Sequence, residues 1–303
     1  MSRVSVKRDD PLYTYAIKFM ENAWGVTRRF PGCQPISIEY KHFDTLRKND
    51  YVVCEKTDGV RYMMLAFMYE NNKVCVFVNR ALDMYVCKLN FRRAIYDGTI
   101  LEGEMYEDTF MIYDCLYDSG VVVGQHDFLT RLKHCENISK KLLALKGDSV
   151  KLRVKTFHLL ADFDSFLNNY LPSVTQDVDG LIFTPIHCPV KIGTHETMFK
   201  WKPKSKNTVD FQLKRMDNEW RLYVQEKGEP IYESTIPPNK MDERWLKNNA
   251  IVECEYVTDD IPMWWRPLKM RTDKTYANNR RTFYRTLVNI KEDIKITDFL
   301  KCT

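Results

Sequence analysis

The sequence of 303 residues contains no C-x-x-C pair, although it has nine cysteines. They are scattered at 33, 54, 75, 87, 115, 135, 188, 254 and 302. That odd, dispersed set argues against a disulfide framework and against a paired-cysteine zinc site. Cys54, Cys75 and Cys115 lie inside apolar runs, where a reduced thiol packs as a small hydrophobe. The expected setting is a reducing, intracellular one. Also absent is any apolar stretch approaching the roughly 18 residues of a membrane span, so no membrane partner is expected. The first ten residues carry Arg3, Lys7 and Arg8 but no apolar segment, and do not read as a secretory signal. There is no internal repeat and no low-complexity tract. A strong charge imbalance is missing too. The net charge of +5 allows a polyanionic partner only where the cations cluster.

What is present suits one large or two smaller globular domains, with 44% hydrophobic residues, 17 Tyr and 16 Phe. Apolar spacing over 11–25 predicts a helix, with Asp10 as N-cap and Pro11 in the first turn. From Tyr51 onward, short β-rich runs at 51–55, 61–69, 74–79, 82–88, 99–106 and 109–117 alternate with turn signals. They read as an antiparallel meander. Helical spacing returns over 127–146 and near 161–170, before an apolar strand at 180–186. A basic, proline-containing break at 200–208 separates this region from four or five short strands between 209 and 257. Those suit a small barrel of the oligonucleotide-binding kind. Helical spacing resumes from Tyr276.

The most informative segment is Lys56-Thr57-Asp58-Gly59-Val60-Arg61. Asp-Gly alone is a common hairpin turn. The full K-x-D-G-x-R pattern is rarer, at fewer than about one chance occurrence per hundred chains of this length. A nucleophilic lysine must sit on rigid backbone, partly desolvated or near other cations, so that its amine can be neutral. A strand-end Lys56 beside a glycine meets that need, and Gly59 would let backbone approach a phosphate. Other candidates follow in order. Glu102 and Glu104, at i and i+2, point to one strand face and could hold a divalent cation. Lys200 and Lys202 alternate in the same way, so both ammonium groups could reach one phosphate. Arg80 and Tyr113 each have a bland reading, as a strand-end surface arginine and a core tyrosine, and Asp179 stands before Gly180 in Asp177-Val178-Asp179-Gly180-Leu181-Ile182-Phe183.

Taken together, these motifs resemble the covalent nucleotidyltransferase superfamily of mRNA capping enzymes and polynucleotide ligases. The similarity runs from about Pro35 to the C-terminal helix and is closest to compact guanylyltransferases of large DNA viruses. The resemblance implies an α+β fold: a nucleotidyltransferase domain of antiparallel sheets with flanking helices, plus a C-terminal OB-fold β-barrel. The expected domains are 1–208, with the helical tail 276–303 packing back on it, and 209–275, with a hinge at 203–208. By resemblance, Lys56 becomes covalently linked to GMP, and Arg61 and Arg80 contact the nucleotide. Glu104 holds the ribose or a metal-bound water, and Tyr113 stacks on the purine. Asp179 lies near the α-phosphate and metal, and Lys200 and Lys202 hold the α-phosphate. Trp265, Arg271, Thr272, Asp273, Lys274 and Asn278 resemble the motif that grips the outer phosphates. Glu102 stands where Asp is more usual, and Lys269 where many relatives have Arg.

The implied substrate is GTP with Mg²⁺ or Mn²⁺, Glu104 and Asp179 being the candidate metal residues. The implied acceptor is an RNA 5′-diphosphate end, with RNA triphosphatase and cap methyltransferase as separate proteins. The implied setting is the nucleus, a cytoplasmic viral factory or a virion. An ATP-dependent ligase with the same lysine chemistry is the nearest alternative. The Thr of K-T-D-G, Trp265 and Asn278 resemble capping enzymes more. A catalytically dead RNA-binding protein is a further alternative, against which stands the intact set Lys56, Glu104, Asp179 and Lys200.

Overall fold

The computed structural model describes residues 4–25, 29–143, 145, 150–238, 240, 243–272 and 274–303. The first elements are β1 (Val4–Val6), α1 (Pro11–Trp24), β2 (Cys33–Ser37), α2 (Phe43–Lys48), β3 (Tyr51–Thr57), β4 (Val60–Tyr69), β5 (Asn72–Asn79) and β6 (Met84–Val86). Next come β7 (Thr99–Tyr106), β8 (Thr109–Asp118), β9 (Val121–Val122), α3 (Phe128–Ser139), β10 (Lys151–Val154), β11 (His158–Leu159), the single turn α4 (Phe163–Ser165), β12 (Val178–Pro185) and β13 (Gly193–Trp201). The remainder is β14 (Thr208–Met216), β15 (Glu219–Glu226), β16 (Glu229–Ile236), β17 (Ile251–Val257), β18 (Trp264–Met270) and α5 (Arg280–Glu292). Among the described residues, no helix is long and apolar enough to cross a membrane.

The chain divides into two compact units. The first comprises Met1–Ile36, Asp44–Lys200 and Cys302–Thr303, and the second Ser37–Phe43 and Trp201–Lys301. In the first unit, an eight-stranded sheet runs β1-β6-β5-β4-β7-β8-β10, with β9 paired to β8. Its ladders are antiparallel except for β10, which runs parallel to β8. β4 is apolar at nearly every position because both of its faces are covered. Met64 and Ala66 belong to one core with Leu101, Ile112 and Cys135. Met63, Leu65 and Phe67 belong to another with Ala16, Met20 and Trp24 of α1. The helix α1 starts as its sequence predicts, the Asp10 carboxylate accepting the Leu12 N–H at 2.8 Å.

The first expectation to change concerns 51–55. β3 does not join the meander but lies in a second sheet, β11-β3-β12-β13-β2. K-T-D-G-V-R is therefore a crossing between two sheets and not a hairpin. The strand expected at 82–88 shortens to β6, because the Asn79 side chain accepts the N–H groups of Ala81 and Asp83, both at 2.9 Å. The helix expected over 127–146 is α3; residues 144 and 146 of that expectation lie outside the described residues.

The second unit carries one antiparallel sheet in the order β16-β15-β14-β17-β18. Its end strands β16 and β18 lie against each other without ladder hydrogen bonds between them among the described residues, so the barrel is not closed by a ladder here. Val209, Phe211, Leu213, Leu222, Val224 and Val252 face its core. α5 belongs to this unit, whereas the tail was expected on the larger domain. The physical reason is its apolar stripe: Phe283 meets Phe211 and Trp265 at centroid distances of 5.6 and 5.7 Å. None of the nine cysteines is in a disulfide, and eight of them are buried.

Candidate active site

Lys56 lies near the end of β3, the one partly exposed position in an otherwise buried strand. Opposite it, the β12 ladder has an irregularity. Val178 pairs with Thr57 and Gly180 with Lys56, which leaves Asp179 as the extra residue of a bulge. A bulge re-aims a side chain. Here the Lys56 ammonium donates to Asp179 Oδ2 at 2.9 Å, with 24% and 11% of the two side chains exposed.

The adjoining Thr57 side chain is buried and donates to Glu104 Oε2, while the Gly59 N–H donates to Glu104 Oε1 at 3.3 Å. Glu104 is thus locked against the Lys56 strand end. A Cβ at Gly59 would stand 2.7 Å from both Glu104 Cγ and the Met105 carbonyl oxygen. The close approach that this glycine permits is to β7 itself.

A buried network that the sequence did not disclose backs this corner. The Lys155 ammonium reaches Thr57 Oγ1 at 3.3 Å and Glu55 Oε1 at 3.3 Å, and the Tyr170 hydroxyl donates to Glu55 Oε2 at 3.3 Å. Lys155 and Glu55 are 5% and 2% exposed, so each needs the other. In sequence Lys155 stands in the mixed polar and apolar stretch 152–160, where a lysine reads as a surface strand position.

On the facing sheet, Arg61 and Glu104 are cross-strand partners in β4 and β7. Arg61 is clamped by Glu102 Oε1 and by the Cys33 carbonyl, and its guanidinium stands 5.1 Å over the Phe30 ring. The Tyr113 hydroxyl donates to the same Glu102 Oε1 at 3.2 Å. Burial raises the Glu102 pKa, with the Arg61 charge opposing. Burial likewise holds the Tyr113 phenol well above its usual value. Burial alone would lower the Arg61 pKa, but the Glu102 carboxylate more than offsets it. Arg80, just beyond β5, reaches solvent; protein atoms crowding its guanidinium, and then the Arg61 charge, lower its pKa.

Glu102 and Glu104, expected to share a cation, thus have different partners: arginine and tyrosine for one, threonine and backbone for the other. Among the described residues, no cluster of three or more His, Cys, Asp or Glu could hold a metal ion. Asp179 and Glu104 remain as carboxylates, a donor set suited to Mg²⁺ bound chiefly through waters and substrate phosphate. Lys200 is the penultimate residue of β13 in the first unit. Lys202 lies past the strand end and in the second unit, so strand alternation does not relate the two.

In the second unit the expected phosphate grippers form their own cluster. Arg271 NH1 lies 3.1 Å from Asp210 Oδ1 and 3.4 Å from Glu253 Oε2, and the Lys274 ammonium reaches Asp210 Oδ2. Lys269 pairs with Glu253 at 3.2 Å. Burial pushes the Glu253 carboxyl up, but Thr208, Lys269 and Arg271 together bring its pKa below the ordinary value. Asn278 pins the Asp210 backbone from both sides, accepting its N–H at 2.7 Å and donating to its carbonyl at 2.7 Å. The carboxylates are the buried members and the cations the outer ones, with side-chain exposures of 7% for Asp210 against 22% for Arg271 and 34% for Lys274. Asp273 lies outside the described residues.

Comparison with known proteins fits this arrangement. Residues 4–204 match the model of the mRNA capping enzyme catalytic domain, and residues 191–300 that of the mRNA capping enzyme C-terminal domain. The chain is 29% identical to the mRNA-capping enzyme subunit alpha of Schizosaccharomyces pombe, over 90% of this chain and 79% of that protein. It is 32% identical to the mRNA-capping enzyme of Danio rerio, over 82% of this chain but only 45% of that longer protein. Among solved structures, the ATP-dependent DNA ligase of bacteriophage T7 in complex with ATP aligns with a TM-score of 0.44 and 14% identity, over 80% of this chain and 98% of the ligase. With family matches spanning both units, the chain belongs to the mRNA capping enzyme family.

Proposed function

We propose that the chain is an mRNA guanylyltransferase that takes GMP from GTP onto Lys56 and passes it to the 5′-diphosphate end of RNA. The observation that carries this reading is the Lys56–Asp179 pair at a bulged strand end, set inside the family's catalytic-domain match. In the first step, Lys56 Nζ loses a proton and attacks the α-phosphorus. The N–P bond forms as the bond to the pyrophosphate oxygen breaks. Negative charge develops on phosphate oxygens, so fixed cations supply most of the rate.

In the second step, a terminal phosphate oxygen of the RNA diphosphate attacks the same phosphorus, and the lysine amine leaves. Asp179 anchors the ammonium before nucleotide arrives. Glu104, held by Thr57 and Gly59, is assigned to the ribose, and Arg61 and Tyr113, joined through Glu102 on the same sheet, to the nucleotide. Lys200 and Lys202 are assigned to the α-phosphate and Arg80 to the nucleotide. Arg271 and Lys274, with Asp273 from the same motif, are assigned to outer phosphates. Asp179 and Glu104 are assigned to a divalent cation, Mg²⁺ or Mn²⁺, which would neutralise phosphate charge when bound.

The test compares α-labelled GTP with α-labelled ATP, followed by addition of 5′-diphosphate RNA. The proposal expects label from GTP that is chased onto RNA. Labelling by ATP and sealing of nicked strands would replace it with the ligase reading.

A further inference from the structure

β8 carries a bulge against β7. Glu102 pairs with Asp114 and Gly103 with Ile112, which leaves Tyr113 as the extra residue, so Tyr113 and Asp114 together oppose Glu102. Two carboxylates directly across a ladder repel each other, their side chains starting about 5 Å apart. Both are buried, with 2% of Glu102 and 7% of Asp114 exposed, where water screens little. Burial, and then the Glu102 and Asp114 charges, raise the Cys33 thiol pKa to about 12. Both carboxylates therefore bear on the residue whose carbonyl helps to clamp Arg61.

Arg131 meets that repulsion. It lies near the start of α3, which Asp127 caps by accepting the Thr130 N–H at 2.9 Å. Its guanidinium grips Asp114 with both prongs, Nε donating to Oδ1 at 2.7 Å and Nη2 to Oδ2 at 3.0 Å. Nη1 donates to the His126 and Cys188 carbonyls at 2.7 and 2.9 Å. Arg131 is 2% exposed, so any part it plays in the site is played through its neighbours.

We propose that Arg131 is a positioning residue for nucleotide binding: by holding Asp114, it leaves Glu102 to Arg61 and Tyr113. Without Arg131, the Asp114 carboxylate competes with Glu102 for Arg61 and draws the guanidinium away from its place. Without the Asp114 charge, the stranded Arg131 competes with Arg61 for Glu102. Removing both charges leaves the Arg61–Glu102 clamp as it was. Lys56 with Asp179, and Glu104 with Thr57 and Gly59, have separate partners, so the chemical step is spared.

The inference rests on the proposed function for the assignment of Arg61 and Tyr113 to the nucleotide. Its test uses the full chain and whichever of α-labelled GTP or ATP labels the wild type. Initial labelling rates are followed against nucleotide concentration for wild type, Arg131→Gln, Asp114→Asn and the double variant, with thermal melting of each. Each single variant should raise the half-saturating concentration about tenfold, the loss of one charged hydrogen bond, with a smaller change in maximal rate. The double variant should return to within about threefold of wild type, although it melts lower for want of the His126 and Cys188 contacts. Should Arg131→Gln fail to fold, Asp114→Asn against the double variant makes the same comparison. A merely structural tie would make labelling follow Tm and leave the double variant no better than the single ones. That result, or unchanged half-saturation in both single variants, would overturn the inference. Labelling by ATP alone, with the rescue, would sink the guanylyltransferase reading and leave the role of Arg131 standing. Labelling by GTP without the rescue would do the reverse, and labelling by neither nucleotide would sink both.

Discussion

Replacing Glu102 by Ala removes the one carboxylate that both Arg61 and Tyr113 use. Glu102 is 2% exposed and the Arg61 side chain 17%, so the guanidinium left behind would be a largely buried charge with only the Cys33 carbonyl and the Phe30 face to meet it. Breaking a buried pair in this way costs about 3–5 kcal/mol. In a unit of this size each kcal/mol lowers Tm by about 2–4 °C, so the variant should melt roughly 6–20 °C lower. Arg61→Ala should cost a similar amount, since it strands Glu102. The double variant removes both charges, and its loss should fall short of the sum by about 2 kcal/mol. Calorimetry of the four proteins closes the cycle. A Glu102→Ala protein melting within about 2 °C of wild type, or strictly additive losses, would refute the clamp as drawn.

Three further outcomes follow from the same geometry. Gly59→Ala places a Cβ against the Met105 carbonyl and Glu104 Cγ. It should destabilise by about 1–3 kcal/mol in urea titration, with loss of lysyl-nucleotide formation as Glu104 is displaced. Asp210→Ala removes the shared carboxylate under Arg271 and Lys274. It should reduce the initial rate of labelling on the order of 10- to 100-fold with little change in far-ultraviolet circular dichroism. Burial, and then the Lys191 and Arg131 charges, lower the His195 pKa from its usual 6.5, so the folded state binds its proton less readily than the unfolded chain. That stability is present above pH 6.5 and is lost as pH falls through the lowered value. His195→Gln should therefore flatten the fall in Tm between pH 7 and pH 5.

The sequence disclosed most where a local pattern carried the constraint. Asp10 before Pro11 announced the start of α1, and the Val-, Met- and Phe-rich runs located β4, β7 and β8 to within a residue or two. K-T-D-G-V-R marked the candidate site, but not that its two ends belong to different sheets. That depends on β12, more than 120 residues away, pairing with β3 in place of β4. Long-range partners stayed hidden for the same reason. Glu55 and Asp210 are charges inside apolar strands, and their counterparts Lys155, Arg271 and Lys274 lie far along the chain. Glu102 looked like a departure from a motif and is the anchor of Arg61. The tail after Tyr276 read correctly as helix; which core its Phe283 and Ile290 would enter could not be told from periodicity alone.

The central claim is that Lys56 is the nucleophile, and peptide mapping after reaction with GTP tests it most directly. The protein is incubated with GTP and a divalent cation, denatured and digested under alkaline conditions, and the peptides are weighed and fragmented. The account predicts one peptide heavier by a GMP moiety, with the adduct on Lys56, and no adduct in Lys56→Ala. A GMP adduct on any other residue, or undiminished labelling of Lys56→Ala, would contradict it.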